Sequence, residues 1–114
     1  MKPRAVDFVN YIVTDMARSE PFYREVLGME VGVPWGRPGS SRVPFAEFEV
    51  GGTTISLTQL PQLPMGATVA LAVEDVKASV EELRAKDVDI VMEPLETGVC
   101  FMAVIADPDG NQTG

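Results

Sequence analysis

Phe8-Val-Asn-Tyr-Ile-Val-Thr-Asp15 and Thr68-Val-Ala-Leu-Ala-Val-Glu-Asp75 stand 60 residues apart, each a β-rich run closing on an aspartate. Ser19 and Ser79 each follow their aspartate by four residues. An aspartate there can accept backbone N–H groups of a following helix. In the first copy helical spacing sets Phe22, Val26 and Met29 near one face, with Tyr23 and Leu27 beside them. Pro21 lies too deep for a helix starting at Asp15, so the regular helix is expected to begin near Ser19, with the proline in its first turn. In the second copy a helix over about Val76–Lys86 shows Val76, Val80 and Leu83 on one face. Each helix is followed by strands: Met29–Val33, Val43–Val50 and Thr53–Leu60 first, then Val88–Met92 and Cys100–Ala106. Gly51-Gly52 is a two-residue type I′ hairpin signal. Asp107-Pro-Asp-Gly-Asn111 is a turn in which Pro108 fixes φ, Gly110 accepts positive φ and Asp and Asn bond nearby backbone. One unit is therefore written twice, over about 6–60 and 67–114, joined by the Pro-rich linker 61–66. Halves of this size bury too little surface alone, so 1–114 is expected to form a single domain with a shared core.

The composition narrows the chemistry. The chain has 114 residues, 46% of them apolar, which suits one globular domain. Nine basic against seventeen acidic residues give a net charge of −8, the wrong field for a phosphate backbone, and no nucleic-acid partner is expected. The one cysteine leaves no internal disulfide. No apolar run has the length of a signal peptide or a membrane span, so no membrane partner and a cytoplasmic location are expected. There is no histidine. That excludes imidazole acid–base chemistry, Ser–His and Cys–His nucleophiles and the commonest transition-metal ligand.

Val13-Thr-Asp15, Ser19 and Phe22-Tyr23 through Leu27-Gly28 in one half, Val73-Glu-Asp75 and Leu83-Arg-Ala-Lys86 in the other, and the closing Asp107–Asn111 turn carry a resemblance. The sequence resembles the vicinal oxygen chelate superfamily, which includes glyoxalase I, extradiol dioxygenases, methylmalonyl-CoA epimerase and bleomycin-binding proteins. The resemblance spans residues 6 to 113. It implies an α+β fold of two βαβββ modules forming a partly open, curved eight-stranded sheet around a cleft, and a homodimer; in this sequence the last strand reads as short, a departure from the family. It also places the usual divalent-metal ligands at Phe8, Ser56, Thr68 and the strand after the Asp107–Asn111 turn, here Gln112-Thr113-Gly114. A phenyl ring has no lone pair to donate, and hydroxyls are weak neutral ligands. No metal, no cofactor and no catalytic residue are therefore expected from these positions.

Strand alternation gives the expected lining of the cleft, taking the Phe8 side as inward. Phe8, Asn10 and Ile12 share that face with Thr54, Ser56 and Thr58. The Gly51-Gly52 turn pairs Glu49 with Thr54 and Glu47 with Ser56, so Glu47 and Glu49 point the same way, about 7 Å apart by strand rise, with Phe45 beside them. In the second half Thr68, Ala70 and Ala72 are expected to line the surface with Phe101, Ala103 and Ile105. Trp35, in the loop Pro34–Arg42, is a candidate for ligand stacking or a dimer contact, and Arg37 and Arg42 for holding an anionic group. Plainer roles stand beside these. Glu47 and Glu49 can be a solvated strand face, Phe22-Tyr23 helix packing, and Cys100 a buried small hydrophobe.

Three functions follow. The first is a metal-free small-molecule binder similar to bleomycin-resistance proteins, holding a cationic aromatic antibiotic with Phe8, Asn10, Trp35, Glu47, Glu49, Ser56, Thr68 and Phe101. The second is a divalent-metal-dependent glyoxalase-like lyase with a divergent site, or with a ligand in a C-terminal tail beyond this sequence. The third is a dimerising or regulatory module without a small ligand. The sequence favours the binder and leaves enzymatic activity open.

Overall fold

Asp15 and Asp75 both open helices, by different means. The computed structural model describes residues 1–36, 43–64, 66–98 and 100–114. In it Asp75 accepts the Ala78 N–H at 3.0 Å and caps helix α2, Val76–Ala85. Asp15 makes no such bond, and the Met16 N–H is taken instead by the Gln59 side-chain oxygen at 2.9 Å. The first helix, α1, spans Met16–Pro21, beginning three residues before the expected start at Ser19. Pro21 thus sits in its last turn, where a ring without an N–H withholds the bond to the carbonyl four residues back. The ladder widens there. Phe22–Val26 form a π-turn, closed by Leu27 N–H donating to the Phe22 carbonyl at 3.0 Å.

Two units partition the chain. Phe8–Ala67 form one; Met1–Asp7 with Thr68–Gly114 form the other. The strands are Ala5–Ile12 (β1), Glu30–Val33 (β2), Phe45–Val50 (β3), Thr53–Thr58 (β4), Gly66–Ala72 (β5), Asp89–Glu96 (β6), Phe101–Ala106 (β7) and Gln112–Thr113 (β8). They make an eight-stranded mixed sheet that with the helices gives an α+β fold, as expected, and β8 is short.

In the Phe8–Ala67 unit the strand order is β2-β3-β4-β1, antiparallel except for parallel β4 and β1. The β3–β4 hairpin turns on Gly51 and Gly52 at φ +54 and +86, a type I′ pair that fixes the register Glu49↔Thr54 and Glu47↔Ser56. Met16, Ala46, Phe48 and Leu57 form the core, with Tyr11, Val13, Tyr23, Met29 and Ile55 packed on it. Tyr23 stacks on Tyr11 at 5.7 Å between ring centres. Phe22, one residue earlier, sets its ring edge-on to Tyr23 and remains 46% exposed, so of the Phe22-Tyr23 pair only Tyr23 packs on the core. Glu20, buried in α1, is held by Arg24 Nε at 2.9 Å from both carboxylate oxygens. The expected linker is anchored by buried Leu63, and Leu60 just before it is buried as well.

In the other unit the order is β5-β8-β7-β6. Strand β6 runs four residues past the expected end at Met92 and contains Pro94; two register shifts accommodate it at this edge position. The Asp107 carboxylate accepts the Asp109 and Asn111 N–H groups at 2.9 and 2.8 Å and the Asn111 side-chain amide at 2.9 Å. The Asp107–Asn111 turn is thus built as its composition indicates. Cys100 is exposed rather than buried. It precedes β7 in a tight turn, where the Thr97 hydroxyl donates to its carbonyl at 3.1 Å.

Candidate functional site

The face of the Phe8–Ala67 sheet turned away from its helix core carries polar side chains beside apolar Phe8, Ile12 and Phe45. Core residues Leu57, Ala46 and Tyr11 are register partners on one face. Alternation therefore puts Asn10, Ser56 and Glu47 on the other. Register places these three in one row across the strands, Glu47↔Ser56 and Ser56↔Asn10. A second row runs Glu30↔Glu49↔Thr54, and a third Phe45↔Thr58↔Ile12. Phe8, two residues before Asn10, is half-buried on the same face.

Asn10 and Ser56 are buried, at 4% and 3% exposure, Glu47 is half-buried and Glu49 is exposed. The Thr58 hydroxyl donates to Asn10 Oδ1 at 2.6 Å, so this amide oxygen is oriented by its neighbour. The Thr54 hydroxyl donates to the Glu49 carboxylate, 2.9 Å from one oxygen and 3.0 Å from the other. Glu30 stands directly opposite Glu49. Two like charges in that position destabilise the strand pair unless a cation sits near them.

The register therefore brings together Phe8, Asn10, Glu47, Glu49 and Ser56, all read from the sequence. Trp35 lies two residues beyond β2, in a turn, and is 42% exposed. Arg37 and Arg42 fall outside the described residues. Glu30 and Gly32 were not legible as members of this face. Their place depends on how β2 pairs with β3 across a long loop, and a bulge between Val31 and Val33 shifts that pairing.

Phe101 requires a correction. In its unit Ile105 and Val69 are both register partners of Thr113, so Phe101, Ala103 and Ile105 share a face with Val69. Thr68, Ala70 and Ala72 lie on the opposite face, with Met102, Val104 and Ala106. The Lys77 ammonium of α2 lies 4.5 Å from the centre of the Phe101 ring, so that ring is on the helix side. The expected phase of β7 was one residue out. Strand β8 and the turn before it set that phase, and neither is a two-residue hairpin whose register can be counted. Half-buried Thr68 keeps its face, with small and apolar neighbours.

The family model described as Glyoxalase/Bleomycin resistance protein/Dioxygenase superfamily matches residues 5–113. The chain belongs to this superfamily. Solved structures of like fold include a methylmalonyl-CoA epimerase from Mycobacterium tuberculosis, 22% identical, with 97% of this chain and 85% of that one covered at a TM-score of 0.66. A hypothetical protein, BH1468 from Bacillus halodurans C-125, is 20% identical over 96% and 90% of the two chains, TM-score 0.65. A glyoxalase/bleomycin resistance protein/dioxygenase superfamily member from Vibrio splendidus 12B01 is 21% identical over 93% and 92%, TM-score 0.56. No curated protein matches the chain.

The residues at the superfamily's usual ligand positions do not fit a divalent metal. Phe8 offers a ring, Ser56 and Thr68 hydroxyls, and Gln112–Gly114 no carboxylate. Among the described residues no group of three or more Asp, Glu, Cys or His side chains could hold a metal ion. The polar face can instead accept hydrogen bonds, attract positive charge and, at Phe8, offer an aromatic surface.

Proposed function

We propose that this superfamily member is a small-molecule binding protein working without a metal, and that the polar face of the Phe8–Ala67 unit takes the positively charged part of its ligand. The observation that carries this reading is the register of Glu30, Glu47 and Glu49 on one sheet face with Asn10 and Ser56. The net charge of −8 adds long-range attraction for a cation. Exposed Trp35 and half-buried Phe8 offer flat surfaces for an aromatic group. A cationic aromatic antibiotic of the bleomycin class combines both features. Sequestration by stoichiometric capture, by a homodimer inside the cell, is the corresponding role. No helix among the described residues is long and apolar enough to cross a membrane. The alternative of a metal-dependent lyase would need donors that the described residues do not supply.

Calorimetric titration of chelator-treated protein with metal-free bleomycin tests this. Saturable binding near one ligand per chain, weakened at least tenfold by Glu47→Gln (about 1.4 kcal/mol), is the expected result. An absence of heat above dilution removes bleomycin as the ligand. Conversion of the ligand to product would replace capture by catalysis.

A further inference from the structure

Most described glycines that sit in turns have positive φ, the conformation that disfavours a side chain; Gly32 does not. It lies within β2, and its backbone would accept alanine. The space above it is tight. A Cβ added there would lie 3.2 Å from both Cγ and Oε1 of Glu49 and 3.5 Å from the Glu47 carbonyl oxygen. The Glu49 side chain therefore lies against the space that a side chain at position 32 would need, and would have to give by a few tenths of an ångström to admit one. On its other flank the Thr54 hydroxyl reaches both carboxylate oxygens. An exposed glutamate otherwise samples several rotamers, and ordering such a chain has an entropic cost.

We infer that Gly32 is a positioning residue: with Thr54 it holds the Glu49 carboxylate in one place on the sheet face, so that the charge is set before a cationic ligand arrives. This rests on the reading of that face as a cation-binding surface, and it names a position that controls the surface without touching ligand. Opposite it, the Glu30 carboxylate makes no side-chain hydrogen bond or ion pair among the described residues. Preorganised charge binds more tightly than charge that must be ordered on binding.

Two measurements on the intact chain separate this inference from the reading beneath it. The first needs no ligand: side-chain three-bond couplings of Glu49 by NMR. A single rotamer in the native protein, averaged in Gly32→Ala and in Thr54→Val but restored in Thr54→Ser, is the expected result. Rotamer averaging in the native protein overturns the inference. The second is titration with benzamidinium, a flat aromatic cation, in a double-mutant cycle. Gly32→Ala alone should weaken binding about five- to tenfold, and should change nothing further when Glu49 is already Gln. Equal losses from Gly32→Ala in both backgrounds would show that the alanine acts through the fold, and would overturn the inference. A native protein with one Glu49 rotamer and no affinity for benzamidinium would instead count against the cation-binding reading, while leaving Gly32 as the residue that places Glu49.

Discussion

Asp15 and Asp75 occupy equivalent places in the two copies of one motif, and only the Asp75 side chain closes a hydrogen bond with its helix. The first copy borrows Gln59, from just beyond β4, to hold the same end of its helix. The exits differ too. The segment after Pro21 leaves through Gly28 at φ +71, whereas α2 leaves through Asp87 at φ +60, a left-handed conformation in a residue with a Cβ. The sheet faces diverge further, one bearing Glu30, Glu47 and Glu49 and the other Ala70, Ala72, Val104 and Ala106. A repeated motif thus preserves the order of its elements while each copy secures them with different side chains. The freedom lies in the caps and on the face away from the helices, where function can diverge without cost to the core.

Substitutions can break this comparison. The largest effect is expected at the core: Phe48, with no exposed surface, should cost about 3–5 kcal/mol as alanine in a urea melt. Val104→Ala in the other unit removes less volume from a site 3% exposed and should cost markedly less. Next come the caps. Asp75→Ala should lose about 1 kcal/mol, Asp15→Ala close to nothing, and Gln59→Ala the loss that Asp15 does not show. Equal losses at the two aspartates would remove the distinction drawn between the copies. Asp87→Gly, which gives the second helix the exit of the first segment, should gain about 0.5 kcal/mol, the relief of a left-handed Cβ less the added entropy of an unfolded glycine. The smallest effect concerns pH. Three hydrogen bonds, chiefly those from Asn111, hold the Asp107 carboxyl below its ordinary value. A lowered folded-state pKa contributes stability that is present above the unfolded value and is lost as pH falls through the folded one. Asp107→Asn should therefore flatten the acid limb of a stability–pH curve and lower the plateau near neutrality; an unchanged acid limb would show that the turn does not sense this proton.

How much of this was legible in the sequence depended on whether register could be counted. The strand, helix and hairpin order was legible from alternation and the paired aspartates. The Gly51-Gly52 turn placed Glu47 and Glu49 on the face of Ser56, because a two-residue loop admits one register. Where a long loop intervenes the count fails, and Glu30 and Gly32 went unseen. Where two strands meet through a third, as β5 and β7 do through β8, a slip of one residue put Phe101 on the wrong face. The start of α1 was misjudged for another reason. A proline near the end of a short helix is accommodated by widening the next turn, which sequence spacing does not reveal.

Strand β8 has a bearing on how the chain acquires its shape. Residues 112–114 are the short clasp between β5 and β7: Thr113 pairs with Val69 and Ile105, and the Gly114 backbone exchanges bonds with Val69 and Leu71. Strand β5, made long before β8, therefore stays unjoined to β7 until these residues leave the ribosome. The Phe8–Ala67 unit is continuous in sequence, whereas its neighbour gathers Met1–Asp7 with Thr68–Gly114. Contacts of long sequence separation form slowly. During synthesis the acidic face can thus be complete while β5 still waits for its partner strand, an interval in which an exposed β-edge is open to wrong pairing.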